Sequence, residues 1–307
     1  MSENTSLTST LSTNTFSAYE NAPPEISEIS QATPALRNFY SLTLEDLQQE
    51  FKKVGKEKFR SQQIFKWLYE HRVTDPILMS NLSKDFRAEL PKSFSFEMPA
   101  VLKHLKSVDG TQKLLFDMGG GNTVEAVLIP SDGRLTLCIS SEVGCNMACK
   151  FCFTGKQKLK RRLKTEEIVG QFMQCHDRLE PGQRISNIVF MGMGEPLDNC
   201  EAVFKSIEIL HSTWGMNLSK KKITVSTSGI VPEMWRIAAA GVRLAVSLNA
   251  PNDEIRDQVM PINKKWPIKE LFKACREYNK ETGDKITFEY VLLKPQLRIR
   301  HIHLLSP

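Results

Sequence analysis

Apolar positions between residues 38 and 95 recur at helical intervals. Leu47, Phe51 and Val54 follow Thr43 and Asp46, whose spacing is that of a capping box, so a helix is predicted from about residue 44. Phe59, Ile64, Phe65, Trp67 and Leu68 predict a second amphipathic run. Leu82, Phe86 and Leu90 predict a third, which Pro91 should end. From residue 100 to 130 the pattern shortens to strand-like runs, broken at Asp109-Gly110 and at Gly119-Gly120-Gly121. The glycine triplet is no dinucleotide fingerprint, because no strand–G-x-G-x-x-G–helix context surrounds it. Beyond Leu135 two periods alternate. Strand-like runs at 135–140, 185–191, 223–228, 244–248 and 286–293 are separated by helical runs such as 165–179, 201–211 and 268–278. That alternation predicts an α/β core with a parallel sheet and right-handed crossovers, open or closed into a barrel. Chemistry in such folds gathers at the C-terminal ends of the strands.

Composition narrows this picture only a little. The chain has 307 residues, 41% of them apolar and 25% charged, which is ordinary for a globular protein. No apolar run reaches the length of a membrane span, so no membrane partner is expected. The net charge of +6 favours a polyanion such as nucleic acid without requiring one. Residues 1–34 are rich in Ser and Thr, hold no Lys or Arg and include Glu3, Glu20, Glu25 and Glu28. A secretory signal needs a basic n-region and an apolar core, and a transit peptide is Arg-rich and acid-poor; this stretch is neither and is expected to be disordered. The lysines and arginine at 52, 53, 56, 58 and 60 read as a solvated helix face sooner than as an RNA contact.

Three of the seven cysteines lie within eight residues, Cys145, Cys149 and Cys152, bracketed by Gly144 and Gly155 just after the first core strand. An odd, clustered set argues against an extracellular disulfide framework and for a reducing cytoplasm. Thiolates at this density select zinc or an iron–sulfur cluster. A structural zinc site wants a fourth ligand, usually from a second C-x2-C, and a ferredoxin-type cluster wants a fourth cysteine. The C-x3-C-x2-C spacing offers three, which leaves one iron of a [4Fe–4S] cluster open to chelate a substrate.

Taken together, LCISSEVGCNMACKFC, VFMGMGEP, ITVSTSG and VSLNAPNDEIRDQVMPINKK resemble the RlmN/Cfr family, and KFRSQQIFKWLY and NLSK resemble its N-terminal helical domain. The family's members are radical S-adenosylmethionine (SAM) enzymes that methylate C2, or in Cfr C8, of an adenosine in 23S rRNA, and in RlmN also a tRNA adenosine. The resemblance implies a partial (β/α) radical-SAM barrel with a small helical accessory domain. Its divisions here are a tail at 1–37, an accessory RNA-binding domain at 38–98, a short β linker at 99–134, a core at 135–294 and a non-matching tail at 295–307. It implies a [4Fe–4S] cluster on Cys145, Cys149 and Cys152, and SAM contacts from Gly194, Glu195, Ser226, Ser247, Leu248 and Asn249. Glu125 matches the family's proton acceptor and Cys138 its resolving cysteine. Lys156, Lys158, Lys160, Arg161 and Arg162 would neutralise RNA phosphates beside the cluster. Lys158-Leu159 departs from the Gly-Phe common there. An external electron donor such as flavodoxin or ferredoxin, a cytoplasmic location and a monomeric state complete the expectation.

In the family a cysteine near the C-terminus carries the methyl group, since electron-poor adenine C2 does not attack a sulfonium directly. A second cysteine then resolves the adduct as a disulfide, and the target base has to leave its stack. Here the resemblance stops near Lys294, PQLRIRHIHLLSP matches nothing in it, and no cysteine follows Cys275. The chain is therefore expected to lack the carrier and the last barrel strand, leaving an open sheet edge. Two readings stand beside RNA methylation: a non-catalytic SAM- or RNA-binding remnant, and a radical SAM enzyme of other chemistry, C8 methylation included.

Overall fold

The computed structural model describes residues 36–293. The expected tails at 1–37 and 295–307 lie outside that range, save for residues 36 and 37. At the N-terminal side Arg37–Asn38 (β1) is followed by helices Leu44–Lys53 (α1), Phe59–Phe65 (α2) and Lys84–Ser93 (α3), and then by Phe94–Ser95 (β2), which pairs in parallel with β1. The predicted capping box forms: Thr43 Oγ1 accepts from the Asp46 N–H at 3.0 Å while the Thr43 N–H donates to Asp46 Oδ2 at 3.1 Å. Leu47, Phe51, Ile64, Phe65, Leu68, Phe86 and Leu90 point inward together and are fully buried or nearly so. Pro91 does not end α3, which runs two residues further. Sitting in the last turn, Pro91 forfeits one ladder bond and leaves the helix upstream of it intact.

This module is fastened to the body by polar ties. Arg72 Nη2 lies 2.5 Å from Asp177 Oδ1 and donates to the Met173 carbonyl at 3.0 Å, while Nη1 meets His176 Nδ1 at 2.6 Å. Lys205 reaches Asp46 at 2.7 Å.

The body is an eight-stranded mixed sheet. Val101–Lys106 (β3), Gln112–Asp117 (β4), Thr123–Ser131 (β5) and Arg134–Cys138 (β6) form an antiparallel meander. A two-stranded ribbon of Glu142–Val143 (β7) and Arg161–Arg162 (β8) flanks the short helix Phe153–Lys156 (α4). Then come Thr165–His176 (α5), Asn187–Phe190 (β9), Cys200–His211 (α6), Ile223–Thr227 (β10), Trp235–Ala240 (α7), Arg243–Ser247 (β11), Asp253–Val259 (α8), Ile268–Thr282 (α9) and Thr287–Glu289 (β12). The sheet order is β12-β11-β10-β9-β6-β5-β4-β3, with β6 and β9 to β12 parallel.

Each new parallel strand is added on the same side of the last. Right-handed crossovers then put every connecting helix on one face and leave the other free, which is how a barrel begins. Among the described residues the sheet does not close, and β12 and β3 are its edges. The 99–134 segment is not a linker: β3, β4 and β5 are built into the main sheet, because β5 hydrogen-bonds directly to β6.

Candidate active site

The three-cysteine loop leaves the end of β6 and is pinched shut at its base by the β7–β8 ribbon. Two glycines set how tightly it folds. Gly144 has φ +80°, and a Cβ there would lie 2.3 Å from the Lys158 carbonyl oxygen; one at Gly155 would lie 2.6 Å from that of Cys149. Inside the loop the Cys145 N–H donates to the Gln157 carbonyl, and the Met147 N–H points at Cys145 Sγ, 3.5 Å away. The Lys150 N–H donates to the Val259 carbonyl at 2.9 Å, tying the loop to α8.

All three cysteines are free thiols and partly exposed. Burial pushes the Cys145 thiol up to about 12 and the Cys149 thiol up to about 11, so metal binding there must displace protons. Among the described residues no three Cys, His, Asp or Glu side chains are placed to hold a single metal ion. A cubane takes one thiolate on each of three irons, a wider arrangement than ligands converging on one ion, and a three-thiol loop with one inward N–H donor suits it.

The glycine turn after β9 packs against this loop's stem. A Cβ at Gly192 would sit 2.7 Å from the Ile139 carbonyl oxygen, and one at Gly194 (φ +102°) would sit 2.6 Å from Glu142 Cβ. Ser140 clamps the same junction: its hydroxyl donates to the Glu125 carbonyl at 2.6 Å and accepts from the Met193 N–H at 2.9 Å.

Glu195, one of the expected SAM contacts, turns its carboxylate inward. It is 3% exposed, and its two oxygens accept the N–H groups of Leu197 (3.2 Å) and Ser228 (2.7 Å). Burial raises its pKa, and those N–H donors oppose the rise. Its side chain joins the ends of β9 and β10. The Glu195 N–H in turn donates to Glu142 Oε2 at 2.9 Å. The other oxygen of Glu142 and Asp198 Oδ2 are both buried without a hydrogen-bond partner, and burial beside two other carboxylates holds the Glu142 carboxyl up at about 8. A carboxylic acid proton between Glu142 and Asp198 satisfies both orphans.

At the ends of β10 and β11 a residue that no sequence motif singles out organises the predicted positions. Glu289, in β12 opposite Ser247, accepts hydrogen bonds at one oxygen from the hydroxyls of Ser226 (2.8 Å) and Ser247 (2.9 Å). The Glu289 carbonyl also accepts the N–H groups of Leu248 and Asn249. Asn249 has φ +55°, and its amide is spent on the Val291 N–H and on Met260 Sδ. Like Glu195 it braces the site more than it faces it.

Cys138 pairs with Val127 across β5–β6. Glu125, two residues along the same strand, therefore shares its face. Glu125 is half-exposed and salt-bridged to Lys113 at 3.0 Å. Burial pushes the Cys138 thiol up to about 11, and the Glu289 carboxylate adds to the rise. Of the basic run, Lys156, Lys158 and Lys160 are exposed and meet no carboxylate among the described residues. Arg161 and Arg162 do not share that freedom. Arg161 forks onto Glu167 at 2.6 and 2.7 Å and bonds the Met118 carbonyl, and Arg162 pairs with Asp198 at 2.8 Å. Both act as staples of β8.

Residues 139–298 match the radical SAM superfamily, and residues 37–95 match the ribosomal RNA large subunit methyltransferase N-terminal domain. A protein of Bdellovibrio bacteriovorus named "Dual-specificity RNA methyltransferase RlmN" is 72% identical over 89% of this chain and 69% of its own length. The chain belongs to the RlmN family. A Pelobacter propionicus member of the same name is 49% identical over 82% of this chain and 72% of its own, and a Mesorhizobium japonicum member is matched over 63% of its length. Among solved structures, a radical SAM methyltransferase from Sphaerobacter thermophilus superposes with a TM-score of 0.80 at 41% identity, covering 85% of this chain and 77% of that one. No helix among the described residues is long and apolar enough to cross a membrane.

Proposed function

We propose that this RlmN-family chain is a radical SAM methyltransferase acting on C2 of an adenosine in 23S rRNA, with a tRNA adenosine as second substrate. The observation that carries the reading is the glycine-tightened three-thiol loop, set at the same sheet end as two serines gathered on Glu289. Cys145, Cys149 and Cys152 would hold a [4Fe–4S] cluster. Backbone of the Gly194-Glu195 turn, with Ser226, Ser247, Leu248 and Asn249, would line the SAM site. When bound, that pair supplies one-electron reductive cleavage of SAM, with the electron coming from an external small redox protein of the flavodoxin or ferredoxin class.

The remaining roles fall to side chains. Glu125 faces the same side as Cys138, is paired with Lys113 at 3.0 Å, and would take the base's C2 proton. Cys138 would resolve the covalent adduct by losing its proton and attacking the sulfur of the family's carrier cysteine, a role that none of the seven cysteines here fills; the S–S bond would form as the carbon–sulfur bond to the base breaks, and that carbon would take up a proton. Lys156, Lys158 and Lys160, next to the cysteine loop, would bind phosphates of the RNA backbone. Thiol chemistry of this kind suits the reducing cytoplasm.

The test is anaerobic reconstitution followed by incubation with methyl-labelled SAM, a chemical reductant and 23S rRNA. Label recovered as 2-methyladenosine is the result that supports the reading. Recovery as 8-methyladenosine moves the reaction to C8. Formation of 5′-deoxyadenosine with no methylated base would show that the described site works while the methylation reading fails. RNA binding with intact SAM would leave a binding remnant.

A further inference from the structure

Arg256 is among the largest fully buried side chains of the protein, at 0% exposure. Its sequence context, DEIRDQV, reads as the solvated face of a short helix, yet the guanidinium turns inward. Every hydrogen-bond partner it has among the described residues is neutral. Nε donates to the Leu248 carbonyl at 3.0 Å, Nη1 to Asn263 Oδ1 at 3.0 Å, and Nη2 to the carbonyls of Ser228 (2.7 Å) and Ser247 (3.1 Å). Among the described residues no carboxylate reaches ion-pair distance of it. The nearby acids are held off by Asn263, whose Nδ2 donates to Asp253 Oδ1 (2.9 Å) and Asp257 Oδ1 (2.7 Å) while its oxygen faces the arginine.

A fully buried cation with dipoles alone around it is costly unless a negative charge arrives. The group that can carry one is on the neighbouring loop. Cys149 packs with Val259 and Met260 at the end of α8, and Lys150 is hydrogen-bonded to Val259. The Met260 N–H donates to the Arg256 carbonyl at 2.7 Å, so the turn that carries the guanidinium is the one packed on Cys149.

We infer that Arg256 is a positioning residue that supplies the counter-charge for the metal centre on the three-cysteine loop and makes its one-electron reduction easier. The inference rests on the cluster reading above. Three thiolates give such a centre net negative charge, and an added electron deepens it, so a fixed cation alongside favours the reduced state. A merely structural arginine would tie the ends of β10 and β11 to α8 through the same four acceptors and leave the potential alone.

The experiment is a redox titration, followed by electron paramagnetic resonance, of reconstituted wild type, Arg256→Lys, Arg256→Gln and Arg256→Met, without SAM. Lysine keeps the charge and should hold the reduction equilibrium within threefold of wild type, even though the missing hydrogen bonds lower its melting temperature. Glutamine should make reduction about tenfold less favourable, ~59 mV for a one-electron couple. Arg256→Met removes the charge with an apolar chain of similar length and should shift the equilibrium the same way, which keeps the test alive if the glutamine variant does not fold. Unchanged potentials in both neutralising variants would overturn the inference. A wild type that takes up no iron or sulfide would overturn the cluster reading and this inference with it, and that outcome is distinct because no potential could then be recorded.

Discussion

Cys138 illustrates how burial and chemistry pull against each other in one side chain. The resolving role proposed for Cys138 needs a thiolate, yet burial and the Glu289 carboxylate push this thiol up to about 11. At neutral pH only about one molecule in ten thousand carries the thiolate. In cluster-free protein, alkylation of Cys138 should therefore rise roughly tenfold per pH unit between pH 7 and 10. Peptide-level mass spectrometry with iodoacetamide reads this directly. Glu289→Gln removes the opposing charge and should speed labelling at each pH; a rate flat with pH would show that access and not ionisation limits the thiol. The serines that Glu289 gathers were readable from their motifs, but Glu289 itself was not. It is one acidic residue in an apolar run, and only the pairing of β12 with β11 brings it opposite Ser247.

At the scale of elements, the turn after β9 and the stem of the cysteine loop are joined through Glu142. Its folded-state pKa, about 8, lies above the ordinary carboxyl value of 4.5, so the native state favours its protonated form. The stability tied to that proton is fully present below about pH 4.5 and is lost as pH rises through 8. Glu142→Gln should abolish the loss: its amide oxygen can accept from the Glu195 N–H and its NH2 can donate to Asp198 Oδ2, as the acid proton does. Thermal melts should show the variant gaining on wild type from pH 5 to pH 8.5, and parallel curves would refute a shared proton. The elements themselves were legible where period and length agree, as in β6, β9, β10 and β11. They were illegible where partners are remote. Nothing local says that β3 to β5 join the core sheet, or that Arg161 and Arg162, two charges in a basic run, close onto Glu167 and Asp198.

Across the whole molecule, a helical module and an open sheet are locked together by Arg72 on α5 and by Lys205 on Asp46. The net charge of +6 is spread widely, but beside the cysteine loop it resolves into Lys156, Lys158 and Lys160, which meet no carboxylate among the described residues, next to two arginines already in use. Reversing the three lysines to glutamate should weaken binding to an rRNA fragment at low salt. It should also flatten the plot of log K against log[salt] by ~0.7–0.9 for each phosphate no longer neutralised. An unaltered slope would move the RNA interface elsewhere. Reversing Arg162 alone should instead lower stability, since its partner Asp198 would then face another acid.

The hydrogen bond from Ser226 to Glu289 spans 63 residues of chain. A nascent chain emerges from its N-terminal end, so the three-thiol loop leaves the ribosome well before the carboxylate that sets the two serines. Through that interval the thiols are present in a half-built pocket, open to oxidation and to stray metal. For the proposed cluster, loading before β12 is released would meet an unfinished pocket, so translation speed across residues 152–289 would become a variable in the yield of loaded protein.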